Sequence, residues 1–174
     1  MIMMYLMLLF LYTGNSPISY SKYCGNDVYG YLLEFEKDEV RLYKANYLHD
    51  DAIYNEEVLL SKYTYQDSLV VIGNYRLKVL DDKRLEVISL KGLKKGTILY
   101  CAQQNYPNGK LKFMGGWKDG KQNGVSFYLD PKGIVTKVTY RLGNEIERIE
   151  NPPLEPLLKD ILSRTWTRQK LGSF

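Results

Sequence analysis

Histidine occurs once in this 174-residue chain, at His49, and cysteine twice, at Cys24 and Cys101. With one imidazole, every Ser-His-Asp or Cys-His mechanism and most histidine-based zinc sites would have to pass through His49. His49-Asp50-Asp51 reads instead as a solvated turn, because three adjacent polar residues in a loop do not converge and Asp is a good turn former. No metal site, cofactor or catalytic residue is expected. An acid–base enzyme would need two converging carboxylates, such as Glu34 or Glu36 with Glu57, yet Glu34 and Glu36 fall on the outward side of a strand. Long apolar runs are missing too: Met1 to Tyr12, twelve residues, falls short of the roughly 20 needed to cross a bilayer. Lys and Arg form no dense run and alternate with apolar residues, which disfavours nucleic acid.

Tyrosine is abundant, with 16 copies, and 45% hydrophobic against 25% charged residues allows an ordinary core. A tyrosine-rich chain with many β-branched residues leans towards sheet. From Cys24 onward the alternation confirms that lean. Leu33 and Phe35 oppose Glu34 and Glu36; Val40 and Leu42 oppose Arg41 and Tyr43; Tyr75, Leu77 and Val79 oppose Arg76 and Lys78. Turn signals at Lys37-Asp38, Gly73-Asn74 and Asp81-Asp82-Lys83 make neighbouring strands antiparallel. Residues 22–104 are therefore expected to form an antiparallel meander, an open or partly closed barrel, whose aromatics fill the core or line a small-ligand cavity.

The apolar start followed by Thr13 to Pro17 has the form of a secretory signal over residues 1–21, cut after Ser21. No Lys or Arg precedes it; a retained membrane anchor and a buried N-terminal element are the alternatives. Export to the periplasm, cell envelope or cell exterior would favour a Cys24–Cys101 bridge, the other reading being two free thiols. Charge is uneven: residues 22–90 carry 9 Lys or Arg against 13 Asp or Glu, and residues 91–174 carry 15 against 7. A basic half can face an acidic partner, a glycan or an anionic membrane, or pack beside its own acidic half.

Residues 105–150 repeat. Trp117-Lys118-Asp119-Gly120 returns 23 residues later as Tyr140-Arg141-Leu142-Gly143, and Asn108-Gly109 returns after 24 as Lys132-Gly133. These are hairpin signals, with Lys110 to Lys118 expected as one strand, bulged near Gly115. Asn108-Gly109-Lys110-Leu111, Trp117-Lys118-Asp119-Gly120-Lys121, Gly124 and Tyr128 resemble the MORN-type repeat family in its bacterial, antitoxin-type variant. The second unit departs from that pattern at Asp130-Pro131 and at Leu142, which stands where the unit has an acid. The resemblance implies a binding or scaffolding surface, with lipid-contacting and antitoxin or immunity-like partners among proteins of this kind.

After Asn151-Pro152-Pro153, Leu154, Leu158, Ile161 and Leu162 share one helical face, so 151–174 is read as a short amphipathic helix and tail that caps the sheet. The fold class expected is all-β, a meander continued by MORN-like hairpins. The function expected is that of a non-enzymatic exported binding or scaffolding protein. A protein partner comes first, a glycan or anionic membrane second, and an immunity or antitoxin role or a small-ligand barrel are the alternatives. The candidate binding residues are Lys112, Trp117, Lys118, Tyr128 and Tyr140.

Overall fold

A computed structural model of the chain describes residues 16–25, 30–48 and 51–153, the side chains of 45–48 and 51–56 excepted. The expected C-terminal helix, His49 and Asp50 lie outside the described residues, as does the apolar start up to Asn15. Within them the protein is all-β. The strands are β1 (Ser21–Gly25), β2 (Tyr31–Phe35), β3 (Glu39–Leu48), β4 (Asp51–Lys62), β5 (Thr64–Gln66), β6 (Leu69–Ile72), β7 (Tyr75–Asp81) and β8 (Arg84–Ser89). There follow β9 (Ile98–Asn105), β10 (Leu111–Met114), β11 (Trp117–Lys118), β12 (Lys121–Gln122), β13 (Gly124–Leu129), β14 (Val135–Arg141) and β15 (Asn144–Glu150).

Thirteen strands join in one open sheet, and β11 with β12 forms a separate hairpin. Strand β9 organises the sheet. Along one edge it pairs with β1, from Ser21 opposite Gln104 to Gly25 opposite Leu99. Its other edge is shared. Ile98 to Tyr100 pair with β8, and Gln103 to Asn105 pair with β10. The sheet therefore forks at β9, one branch running through β8, β7 and β6 to β5, the other through β10, β13 and β14 to β15.

The meander curls round a single core. Period-2 alternation sends Tyr23, Leu33, Phe35, Val40, Leu42, Leu77, Leu85 and Leu99 inward, where each is almost fully buried. Phe35 meets Tyr23 and Tyr63 edge-on, with ring centroids 5.9 and 5.0 Å away. Fully burying one such side chain contributes about 1.5–3 kcal/mol.

Ser16–Ser21, which falls inside the segment expected as a signal, packs against the sheet. Ile18 is wholly buried in the core, and Ser19 and Ser21 are buried beside it. The Pro17 carbonyl accepts a bond from Gln104 Nε2 at 2.9 Å, and the Tyr20 carbonyl accepts one from the Asn105 amide at 2.8 Å. A cut after Ser21 would remove Ile18 from that core.

The repetition in 105–150 is geometric. At one end of the sheet, the amides of Gly109 and Gly133 bond the carbonyls of Tyr106 and Asp130, and the Tyr106 and Asp130 amides bond Lys110 and Ile134 in turn. Each glycine takes positive φ, 82° and 89°. At the other end, Asp119-Gly120 (φ 49° and 76°) and Leu142-Gly143 (49° and 88°) have positive φ at both central residues, the form of two-residue hairpin turns. The single strand expected over Lys110 to Lys118 is corrected: it stops at Met114, and Gly115-Gly116 redirects the chain into β11. A methyl group on Gly115 would lie 2.6 Å from Ser126 Oγ, so only glycine fits this crossing without a shift.

Candidate binding face of the repeat sheet

Three of the five candidate residues turn inward. The Trp117 ring lies 5.0 Å from the Tyr100 ring at 30°, and its Nε1–H donates to the Cys101 carbonyl at 2.8 Å. This pins β11 across β9. Tyr128 rests on Phe113 at 5.2 Å, and its hydroxyl accepts from Gln122 Nε2 at 3.0 Å and lies 3.2 Å from the Tyr140 hydroxyl. Burial, followed by the bond to Tyr128, pushes the Tyr140 phenol up to about 12. Lys83, in the β7–β8 turn, sits 4.0 Å over the Phe113 ring and 5.7 Å from that of Tyr128, tying the two branches of the fork together by cation–π contact. The sequence reading missed Lys83, because nothing local to Asp81-Asp82-Lys83 shows what its ammonium will cover.

Lys112 and Lys118 are exposed. They belong to a larger set. Lys110, Lys112, Lys118, Lys121, Lys132, Lys137 and Arg141 form no ion pair with any described residue, whereas Arg148 grips Glu145 through two bonds of 2.8 Å. That grip holds the Glu145 carboxyl below its ordinary range. Lys118 stands directly opposite Lys121 across the β11–β12 hairpin, an arrangement that costs stability where two like charges face each other. The next turn packs onto this hairpin: the Gly143 amide bonds the Gln122 carbonyl at 2.8 Å, and the Leu142 amide bonds Asn123 Oδ1 at 3.1 Å. Lys118, Lys121 and Arg141 thus gather at one end of the sheet, and Lys110 and Lys132 lie in the turns at the other.

Leu142 is the anomaly of that end. It occupies the first central position of a two-residue turn at φ 49°, where a leucine costs about 1–2 kcal/mol, and its side chain is 46% exposed. The equivalent position of the preceding unit holds Asp119 at the same φ, a residue suited to it.

On the other side of Tyr100 lies an open cleft of about 470 Å³, walled by Tyr31, Ile98 and Tyr100 and by Gly25, Gly30 and Gly92, with Lys94 and Thr97 as its polar groups. It lies outside the curled sheet. Tyr23, Phe35 and Phe113 are among the largest fully buried side chains of the core. Among the described residues no three His, Cys, Asp or Glu side chains cluster to hold a metal ion. Glu34 is engaged by Lys22 Nζ at 3.0 Å and by the Tyr43 hydroxyl at 3.4 Å.

Cys24 and Cys101 are free thiols on adjacent strands. Cys24 pairs with Tyr100 and Tyr23 pairs with Cys101, so the cysteines are one register step apart and face opposite sides of the sheet. The expected bridge is absent from this arrangement. Burial pushes the Cys24 thiol up to about 11 and the Cys101 thiol up to about 12.

Comparison with protein-family models, curated proteins and solved structures finds no match to this chain.

Proposed function

We propose that this is a non-enzymatic binding protein that offers the open wing of its sheet, β10 to β15, to a protein partner. The observation that carries the reading is the unpaired charge on that wing. Seven Lys and Arg side chains lack ion partners among the described residues, while Trp117 is bonded to β9 and the Tyr128 and Tyr140 hydroxyls are bonded to each other within the wing. A fold that leaves its cations unmatched but locks its aromatics has its contact chemistry in the cations. The MORN-like spacing supports the same reading, since such repeats serve as binding or scaffolding surfaces. The apolar start of the chain supports work outside the cytoplasm.

Charge reversal at Lys112 and Lys118 tests it. The full-length double variant is expected to lose partners that co-purify with the wild type from its native cells, while melting at the wild-type temperature or slightly above it, because Lys118→Glu relieves the facing of Lys118 and Lys121. Identical co-purifying partners at identical yield would defeat the reading.

A further inference from the structure

We infer that the partner engages the turn Arg141–Asn144, with Leu142 as an apolar anchor inside a ring of cations, and that the partner is a protein presenting an apolar recess rimmed by carboxylates. This rests on the binding reading above and narrows it to one end of the wing.

Two independent observations meet there. The first is conformational: Leu142 holds a strained backbone position with an exposed side chain, where Asp or Asn would remove the strain. With nearly half of its surface exposed, the leucine returns only part of that cost as burial. A costly, exposed apolar residue held rigidly by its neighbours has the character of a contact. The second is electrostatic. Lys118 and Lys121 face each other across the adjoining hairpin, and Gly143 rests on the Lys121 stem, 3.4 Å from Cβ by its own missing methyl. Arg141 is the residue just before Leu142. Asp119, in the turn between the two lysines, offsets one of the three charges, and Glu145 is already taken by Arg148.

The combination selects the class of partner. A polyanion such as a glycosaminoglycan or an anionic membrane surface would use the cations without needing one rigid leucine. Protein surfaces supply both an apolar recess and a carboxylate rim. The turn is pre-organised, with Leu142 and Gly143 each bonded to the hairpin beneath, so little ordering cost attends binding.

The test uses the immobilised full chain and a phage-displayed library of random peptides. The peptides selected are expected to carry Asp or Glu around an apolar residue. Leu142→Asn and the double variant Lys118→Glu/Lys121→Glu are each expected to weaken them by roughly tenfold. Lys110→Glu/Lys132→Glu, the same charge change at the far end, is expected to leave the affinity unchanged. Leu142→Asn is also expected to melt at the same temperature as wild type or higher. Peptides without acidic bias, equal losses from the Lys110/Lys132 variant, or a lower melting temperature for Leu142→Asn would overturn the inference. So would tighter, Leu142-independent binding to heparin or to phosphatidylserine vesicles. Peptides sensitive to Lys112→Glu but indifferent to Leu142 and Lys121 would overturn it and leave the binding reading standing; peptides indifferent to every wing variant would remove both.

Discussion

Ser19 Oγ lies 2.9 Å from the Tyr63 hydroxyl, which in turn lies 3.2 Å from the carbonyl oxygens of Glu36 and Lys37. One phenol thereby ties the segment before β1 to the β2–β3 turn and to the end of β4. Burial raises the Tyr63 pKa, against the hydrogen bond from Ser19 that lowers it.

That tie predicts how truncation behaves. A chain beginning at Lys22 should be severely destabilised, or fail to fold, relative to one beginning at Ser16. Ile18→Ala in the full chain should cost about 2–5 kcal/mol, the range for emptying a buried aliphatic site. Chemical denaturation followed by circular dichroism measures all three. A Lys22-start chain as stable as the Ser16-start chain would show that the segment is dispensable.

Trp117 should matter to stability through its indole N–H. Trp117→Phe keeps a ring near Tyr100 and removes the bond to the Cys101 carbonyl, at an expected cost of about 0.5–1.5 kcal/mol. Trp117→Ala removes the ring as well and should cost more. Urea midpoints for the two variants and the wild type separate the contributions, and a Trp117→Phe midpoint equal to that of wild type would mean that the hydrogen bond contributes nothing.

The narrow crossing of Gly115 and Ser126 should show non-additive behaviour. Gly115→Ala places a methyl 2.6 Å from Ser126 Oγ and 2.7 Å from Phe113 Cζ, and overpacking of this kind costs about 1–3 kcal/mol. Ser126 Oγ is buried without a hydrogen-bond partner, so Ser126→Gly gives up a hydroxyl that no bond satisfies and makes room. The double variant should therefore recover part of the loss caused by Gly115→Ala, as a thermodynamic cycle would reveal. Strict additivity would place the clash elsewhere.

The thiols predict both chemistry and pH dependence. At neutral pH the native protein should react slowly with a thiol-specific alkylating agent at both cysteines, reacting fully once unfolded, and its mass should be that of two reduced thiols. Cys24, Cys101 and Tyr140 all hold their protons more tightly when folded, to about 11, about 12 and about 12. Unfolded thiols and phenols release them at the ordinary 9.0 and 10.0. Since the folded state binds more protons in that interval, stability is fully present below about pH 9 and falls towards pH 12. Denaturation at a series of alkaline pH values should follow this decline, and Cys101→Ala should flatten it; an unchanged slope would contradict the burial of that thiol.

Much of the sheet was legible because its turns are written in residues with one conformational meaning. Gly109, Gly120 and Gly133 take the positive φ that their Asn-Gly, Asp-Gly and Lys-Gly dipeptides imply, and the strands between them follow. What escaped is long-range. No local pattern tells that β9 will share one edge between two partners, or that Lys83 will cover Phe113 from a turn 30 residues earlier in the sequence. Ser16–Ser21 is ambiguous for a different reason: small residues after an apolar run serve a protease and a tightly packed strand equally well. The candidate site was half legible. Aromatics placed by the repeat stood out in the sequence and proved to be fasteners, while Lys121 and Arg141 became visible as a group only once two turns of the same form were seen stacked.

The fork at β9 also sets how this molecule comes apart. The wing can peel from β15 inward, since β15 is exposed along nearly its whole length and, among the described strands, pairs only with β14. Separation can proceed through β14 and β13 at the cost of Val138 and Phe127, but at β10 it meets Phe113, which belongs to the main core, and Lys83 above it. Beyond that point, unzipping the wing means opening the body, so β10 is the latch at which local fraying turns into global unfolding.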